Sequence, residues 1–273
     1  MKSPIFTFCQ FCGAFPTKEN PLSKTHIWPR WINKSLEIYP TCDISRIDRL
    51  NPLFPTIIET KRHQDIFTFQ PKISCRRCNG GWMNDIEQNV MDYLRPIISN
   101  KWPEFLSPEQ AHELSLWLAL ICINAELASP LSNTITKHDR DYIREKGSIP
   151  NNWSIIIGKN VGSYWRKRRG YHNYYSPASG IHRRLTKGDD KISYDKQITT
   201  FGIGALFAQV VSSKEPFFSQ FHSFYSSIIG FDVIFPLQRN SPLLTANIPT
   251  LTDENINFLN QKDPWFLQRN RKN

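Results

Sequence analysis

No uninterrupted apolar run in this chain is long enough to cross a bilayer. The longest mostly apolar stretch, Leu114 to Ala128, is broken by Ser115, Asn124 and Glu126. The N-terminus, Met1-Lys2-Ser3-Pro4-Ile5-Phe6-Thr7-Phe8, lacks the apolar core of a secretory leader. Internal repeats and low-complexity tracts are also missing. Acidic residues are in deficit: 24 Asp and Glu face 34 Lys and Arg, a net charge of +10. Such a balance attracts polyanions, and nucleic acid is the commonest; anionic membrane surfaces and plain solubility are the bland explanations. Cysteine is scarce, with six residues, and four of those sit in two CxxC pairs while Cys42 and Cys122 stand alone. That usage suits a reducing compartment and a metal better than a disulfide framework. The expectation is a soluble, cytoplasmic protein with no membrane contact.

What is present is an ordinary globular composition, 40% apolar and 21% charged over 273 residues, enough for one large domain or two modest ones. Nineteen prolines and 13% aromatics predict many loops and a core rich in large rings. The two pairs are Cys9-Gln10-Phe11-Cys12 and Cys75-Arg76-Arg77-Cys78. Each tight CxxC turn points its two sulfurs inward. Two such pairs make a tetrahedral four-thiolate site, which favours a structural Zn2+ with no open position for water. If zinc joins residue 12 to residue 75, it also draws His26 towards Asn79.

The local patterns predict an α+β chain. Residues 1–8 suggest a short strand, and residues 32–64, with Pro40, Pro52 and Pro55, read as an insertion without a period. Ile66 to Phe69 suggests a strand feeding the second CxxC. Ile86, Val90, Leu94 and Ile97 recur at helical spacing, with Pro96 ending or kinking that helix. Ser107, Pro108 and Gln110 form a capping box for a second helix to about Ala128, and Thr136 with Asp139 opens a third, stopped by Gly147. Beyond residue 150 the period becomes that of strands: 153–157, a long run over 198–211 bent at Gly202 and Gly204, and 231–235. A short helix capped by Thr252 follows. The expected organisation is residues 1–100 around the cysteines, a helical middle over 101–150, and a mostly antiparallel sheet over 151–273.

Charge concentrates in residues 159–191, with nine Lys or Arg against two acids and five interleaved Tyr or Trp. Arg166, Lys167, Arg168, Arg169, Arg183 and Arg184 are candidate nucleic-acid contacts, since basic groups neutralise phosphates and rings stack on unpaired bases. A solvated hairpin with core aromatics is the alternative.

The order CxxC, His26-Ile27-Trp28-Pro29, CxxC-Asn79, helix resembles the HNH, or ββα-metal (His-Me) finger, endonucleases. It is most similar to the branch with a zinc knuckle on each side of the catalytic His, that of recombination endonuclease VII, and to uncharacterised bacterial HNH proteins, some suspected of phage defence. The resemblance covers roughly residues 9–90. It implies a zinc-stapled ββα-metal finger and a DNA phosphodiesterase leaving a 5′-phosphate and a 3′-hydroxyl. It further implies His26 as general base, Asn79 as a ligand or loop-positioning group, and Mg2+ or Mn2+ as the catalytic metal.

One position departs from that pattern. The family places Asp or Glu before the catalytic His, and here Thr25, a weaker metal ligand, stands there. Glu87 or Asp85 on the following helix would restore the charge, with Glu87 the favoured catalytic ligand about two turns from Asn79. His63 or Asp65 would reach in from the insertion, or the site is lost. The alternatives to a nuclease are therefore a nucleic-acid-binding zinc protein whose site has decayed, or a nuclease gated through its C-terminal half. A homodimer or a regulatory protein partner is compatible with the sequence.

Overall fold

The computed structural model describes residues 6–35, 41–48, 56–65, 70–128, 134–163, 171–176, 196–214, 232–235 and 242–256. The N-terminal elements are β1 (Leu22–Ser23), α1 (Arg30–Ser35), β2 (Thr41–Asp48), β3 (Thr56–Asp65), β4 (Ser74–Cys75), α2 (Arg76–Gly80) and α3 (Trp82–Ile98). Then come β5 (Phe105–Leu106), α4 (Pro108–Leu127), α5 (Lys137–Lys146), β6 (Trp153–Asn160), β7 (Tyr171–Ser176), β8 (Lys196–Ile203) and β9 (Leu206–Ser213). The chain continues through β10 (Asp232–Phe235), β11 (Leu243–Leu244) and β12 (Thr250–Leu251). The protein is mixed helix and sheet.

The main sheet runs β10-β6-β9-β8-β7-β2-β3, with β12 also on β6. It is antiparallel except where β2 meets β7 and β12 meets β6. Residues 32–64, expected as an insertion without a clear period, supply β2 and most of β3, which extend the sheet beside β7. The run over 198–211 is two strands. Ile203 pairs with Leu206 across the two-residue turn Gly204-Ala205, and Gly204 takes φ +55°. A turn that needs a left-handed residue makes a hairpin here instead of a bend. Over 6–8 the chain forms no strand, and Ile66–Phe69 lies outside the described residues.

The helices follow their capping signals. Ser107 accepts from the Gln110 N–H at 3.2 Å while the Gln110 side chain accepts from the Ser107 N–H at 3.0 Å. Thr136 and Asp139 repeat this, and Gly147 closes α5 at φ +56°. α4 is buried on nearly all sides because it packs against α3, β9 and β10. Pro96 sits inside the last turn of α3 without ending it. No helix among the described residues is long and apolar enough to cross a membrane.

The core gathers around α4. Trp117 packs against Trp28, with ring centroids 6.4 Å apart, and Trp28 meets Phe201 of β8 edge-on at 5.5 Å. Trp28 lies two residues after His26, so the core itself anchors the segment that carries the histidine.

The two glycines after Asn79 are not equivalent. A Cβ on Gly81 would sit 2.7 Å from the Arg77 carbonyl oxygen, whereas one on Gly80 meets nothing. Gly81→Ala is expected to destabilise by about 1–3 kcal/mol, and Gly80→Ala to be neutral or slightly stabilising, by urea unfolding.

Candidate metal centre and the adjoining groove

The first CxxC closes on itself. The Cys12 N–H points at Cys9 Sγ at 3.5 Å, and the Gly13 N–H donates to the Cys9 carbonyl at 2.9 Å. Gly13 makes this possible at φ +73°, a conformation that side chains resist. The second CxxC straddles an element boundary, with Cys75 ending β4 and Cys78 in α2. The two halves are tied by backbone: β1 pairs with β4 through Leu22–Cys75 and Ser23–Ser74, and the Gln10 N–H donates to the Ile73 carbonyl at 2.9 Å. The Arg77 N–H donates to Asn20 Oδ1 at 3.0 Å, fixing the start of α2.

This brings Cys9, Cys12, Cys75 and Cys78 together, with all four sulfurs within 4.8 Å of one another. Cys12 and Cys75 are 3.7 Å apart at sulfur. A tetrahedral ion with metal–sulfur bonds of about 2.3 Å needs sulfurs about 3.8 Å apart. The donor set therefore fits a metal ion such as zinc. A hydrogen bond from Cys78 pulls the Cys9 thiol down to about 4, and serving as that donor holds the Cys78 thiol up. Burial raises the Cys12 thiol. An incoming cation must displace the thiol protons of its ligands.

A buried arginine supports the first turn from outside. Arg140 of α5 donates through Nε to the Gln10 carbonyl at 2.9 Å and through Nη1 to the Ile135 carbonyl at 2.8 Å. Nothing in the sequence marks Arg140 for this position.

The turn before α1, α1 and α3 enclose an open groove of about 550 Å³ lined by His26, Pro29, Arg30, Trp31, Glu87, Gln88, Met91 and Arg95. Glu87, Met91 and Arg95 succeed one another at four-residue steps, so they occupy one face of α3. Met91 and Arg95 were not singled out from the sequence, although that spacing from Glu87 was available. His26 enters from the turn before α1, and Arg30 donates through Nε to His26 Nε2 at 3.1 Å. Burial raises the Glu87 carboxyl above its ordinary range, and the nearby Trp31 indole partly offsets this. Arg95 lies over the Trp31 ring at 5.5 Å.

His26 and Glu87 are thus brought together in one groove. Thr25 is placed elsewhere. It is 1% exposed, its N–H donates to the Pro71 carbonyl at 3.0 Å, and its Oγ1 meets Ser74 Oγ at 2.6 Å. It joins the His26 segment to β4 and is absent from the groove lining, which gives no support to a metal-ligand role. Asn79 is half-buried on α2 and Asp85 exposed on α3, and neither lines the groove. His63 and Asp65 fall in β3. Arg166, Lys167, Arg168, Arg169, Arg183 and Arg184 lie outside the described residues.

No family model, curated protein or solved structure matches this chain. What the chain does then depends on the chemistry of the site.

Proposed function

We propose that this protein is a metal-dependent endonuclease that hydrolyses phosphodiester bonds, with DNA as substrate, and that its four cysteines hold a structural Zn2+. One observation carries the proposal: an imidazole and a carboxylate, His26 and Glu87, share an open groove, and β1, which leads to His26, pairs with the β4 strand that ends in Cys75 of the four-cysteine cluster. The succession β1, His26, β4, α2 supports a ββα-metal finger as the local architecture. His26 takes a proton from water, and the resulting hydroxide attacks phosphorus while the bond to the 3′ oxygen breaks. Mg2+ or Mn2+, when bound, would supply positive charge for the phosphate, and the departing 3′ oxygen takes its proton from solvent. Glu87 would hold that ion, being the anionic oxygen donor in the groove. Arg30 and Arg95 bring positive charge for the flanking backbone.

A second reading is a zinc-containing nucleic-acid-binding protein without cleavage. Two observations favour it: Thr25 spends its hydroxyl on Ser74, and Asn79 is not in the groove lining.

Supercoiled plasmid incubated with the purified full-length protein separates the two. A nuclease nicks only with added Mg2+ or Mn2+ and stops on chelation, with zinc content measured alongside. Plasmid retained but never nicked under either metal selects the binding protein. Glu87→Ala is expected to slow nicking by about 10²-fold at low Mg2+, with partial recovery as Mg2+ rises and zinc unchanged. An unaltered rate removes Glu87 as the ligand.

A further inference from the structure

His26 and Arg30 are four residues apart across the start of α1, and the contact between them has a defined direction. Arginine has donors and no acceptor, so its Nε–H makes His26 Nε2 the accepting nitrogen, with a lone pair already engaged at 3.1 Å. His26 is held close to Arg30, because Ile27 and Trp28, both buried, fix the segment between them and Pro29 restricts the backbone before α1. A lone pair committed to a guanidinium is poorly placed to take a proton from water.

We infer that Arg30 is a phosphate-responsive cover on His26: without ligand its Nε–H occupies His26 Nε2, and a phosphodiester entering the groove draws the guanidinium away and frees that nitrogen. The inference rests on the nuclease reading for its purpose, and on the groove geometry for its existence. The driving force is a difference in partners. A guanidinium bonded to a neutral imidazole makes a single bond, whereas a phosphate offers two anionic oxygens that match its planar fork. The other charged groups of the groove favour the exchange differently. Glu87 shares the groove with Arg30, and Trp31, which lowers its carboxyl against the effect of burial, offers it another neighbour. Arg95 lies over the Trp31 ring and adds attraction for the incoming anion. The consequence is a base exposed when a nucleic-acid backbone occupies the groove. Arg30 is thus a positioning residue, acting through His26.

The test is nitrogen-detected NMR of imidazole-labelled, zinc-loaded full-length protein, with the His26 signal assigned by His26→Gln. The probe is a short oligothymidylate without added divalent cation. In the wild type, free His26 is expected as the Nδ1–H tautomer with Nε2 accepting, and the oligonucleotide shifts the Nε2 resonance. In Arg30→Gln the free resonance already differs, and the oligonucleotide moves it by less than half as much. Arg30→Lys keeps the charge without the fork and is expected to behave like Arg30→Gln at His26 while retaining more oligonucleotide affinity. A wild-type His26 resonance that ignores the oligonucleotide, or an Arg30→Gln response equal to wild type, overturns the inference. Plasmid nicking is scored separately. Nicking with an Arg30-independent His26 resonance removes the cover and leaves the nuclease. An Arg30-dependent shift in a protein that never nicks removes the nuclease and leaves the cover.

Discussion

His26→Ala is expected to lower metal-dependent nicking by about 10²–10⁴-fold, the range for removing a general base, while plasmid binding stays within about two-fold. The separation of these two effects follows from how the segment is built. The anchoring side chains are Ile27 and Trp28, both buried, with Trp28 packed against Trp117 and Phe201. The imidazole is half-buried and lines the open groove, whereas the side chains that follow it are in the core. Unfolding by heat or urea should therefore shift little. In the proposed function phosphate is held by Arg30 and Arg95 of the groove lining, and the substitution removes neither. Rates measured from supercoiled-to-nicked conversion, with retention measured on the same preparations, give the two numbers. A His26→Ala protein that nicks at the wild-type rate places the base elsewhere and deprives the nuclease proposal of its central group. A protein that loses binding and stability together reports structural damage and gives His26 no chemical role.

The parts of the molecule that sequence reveals are those set by local rules. Ser107-Pro108-Glu109-Gln110 and Thr136 to Asp139 form their capping boxes where the spacing puts them, since a cap needs only four adjacent residues. The cysteine cluster is legible because CxxC turns prearrange their sulfurs and two pairs suffice for one ion. The neighbourhood of His26 and Glu87 follows in turn, once the second CxxC leads into a helix of period 3.6. What stays hidden is non-local. β2 carries no clean alternation, and its partners are β3 and, parallel to it, β7, more than a hundred residues away. The Gly204-Ala205 turn lacks the Asn-Gly or Asp-Gly pair that announces a hairpin. Thr25 illustrates the difference most directly. Beside the resemblance it reads as a missing carboxylate. In the fold its hydroxyl meets Ser74 in the interior, where an ionised side chain would pay a large desolvation cost. Arg140 is equally hidden, because nothing in its neighbours marks a buried guanidinium on the Gln10 carbonyl.

The other large effect is expected from Cys78→Ser: loss of the bound metal, destabilisation by more than about 4 kcal/mol, and loss of nicking as a consequence. β1 and β4 share only two residue pairs, and an isolated two-stranded pairing of that size is marginal in water. Cys12 and Cys75 are 63 positions apart, so without a cross-link the chain must close a long loop for those two pairs and a few backbone bonds. A four-thiolate metal replaces that cost with coordination energy, as structural zinc does in small domains. Serine cannot substitute, because a hydroxyl stays protonated where a thiol ionises. Cys122→Ser is the control. Cys122 is buried on α4, its Sγ contacts Thr199 Oγ1 at 3.3 Å, and it lies outside the cluster, so its replacement should leave metal content unchanged. Metal per chain by atomic emission and stability by urea unfolding distinguish the two variants. Cys78→Ser and His26→Ala then fail in opposite ways. The first loses the scaffold that sets β1, and with it the position of His26 against α3. The second is expected to keep metal and fold and to lose only the group proposed to accept the proton. If Cys78→Ser retains full metal and stability, the four sulfurs are a reduced thiol cluster and β1–β4 is held by its surroundings alone.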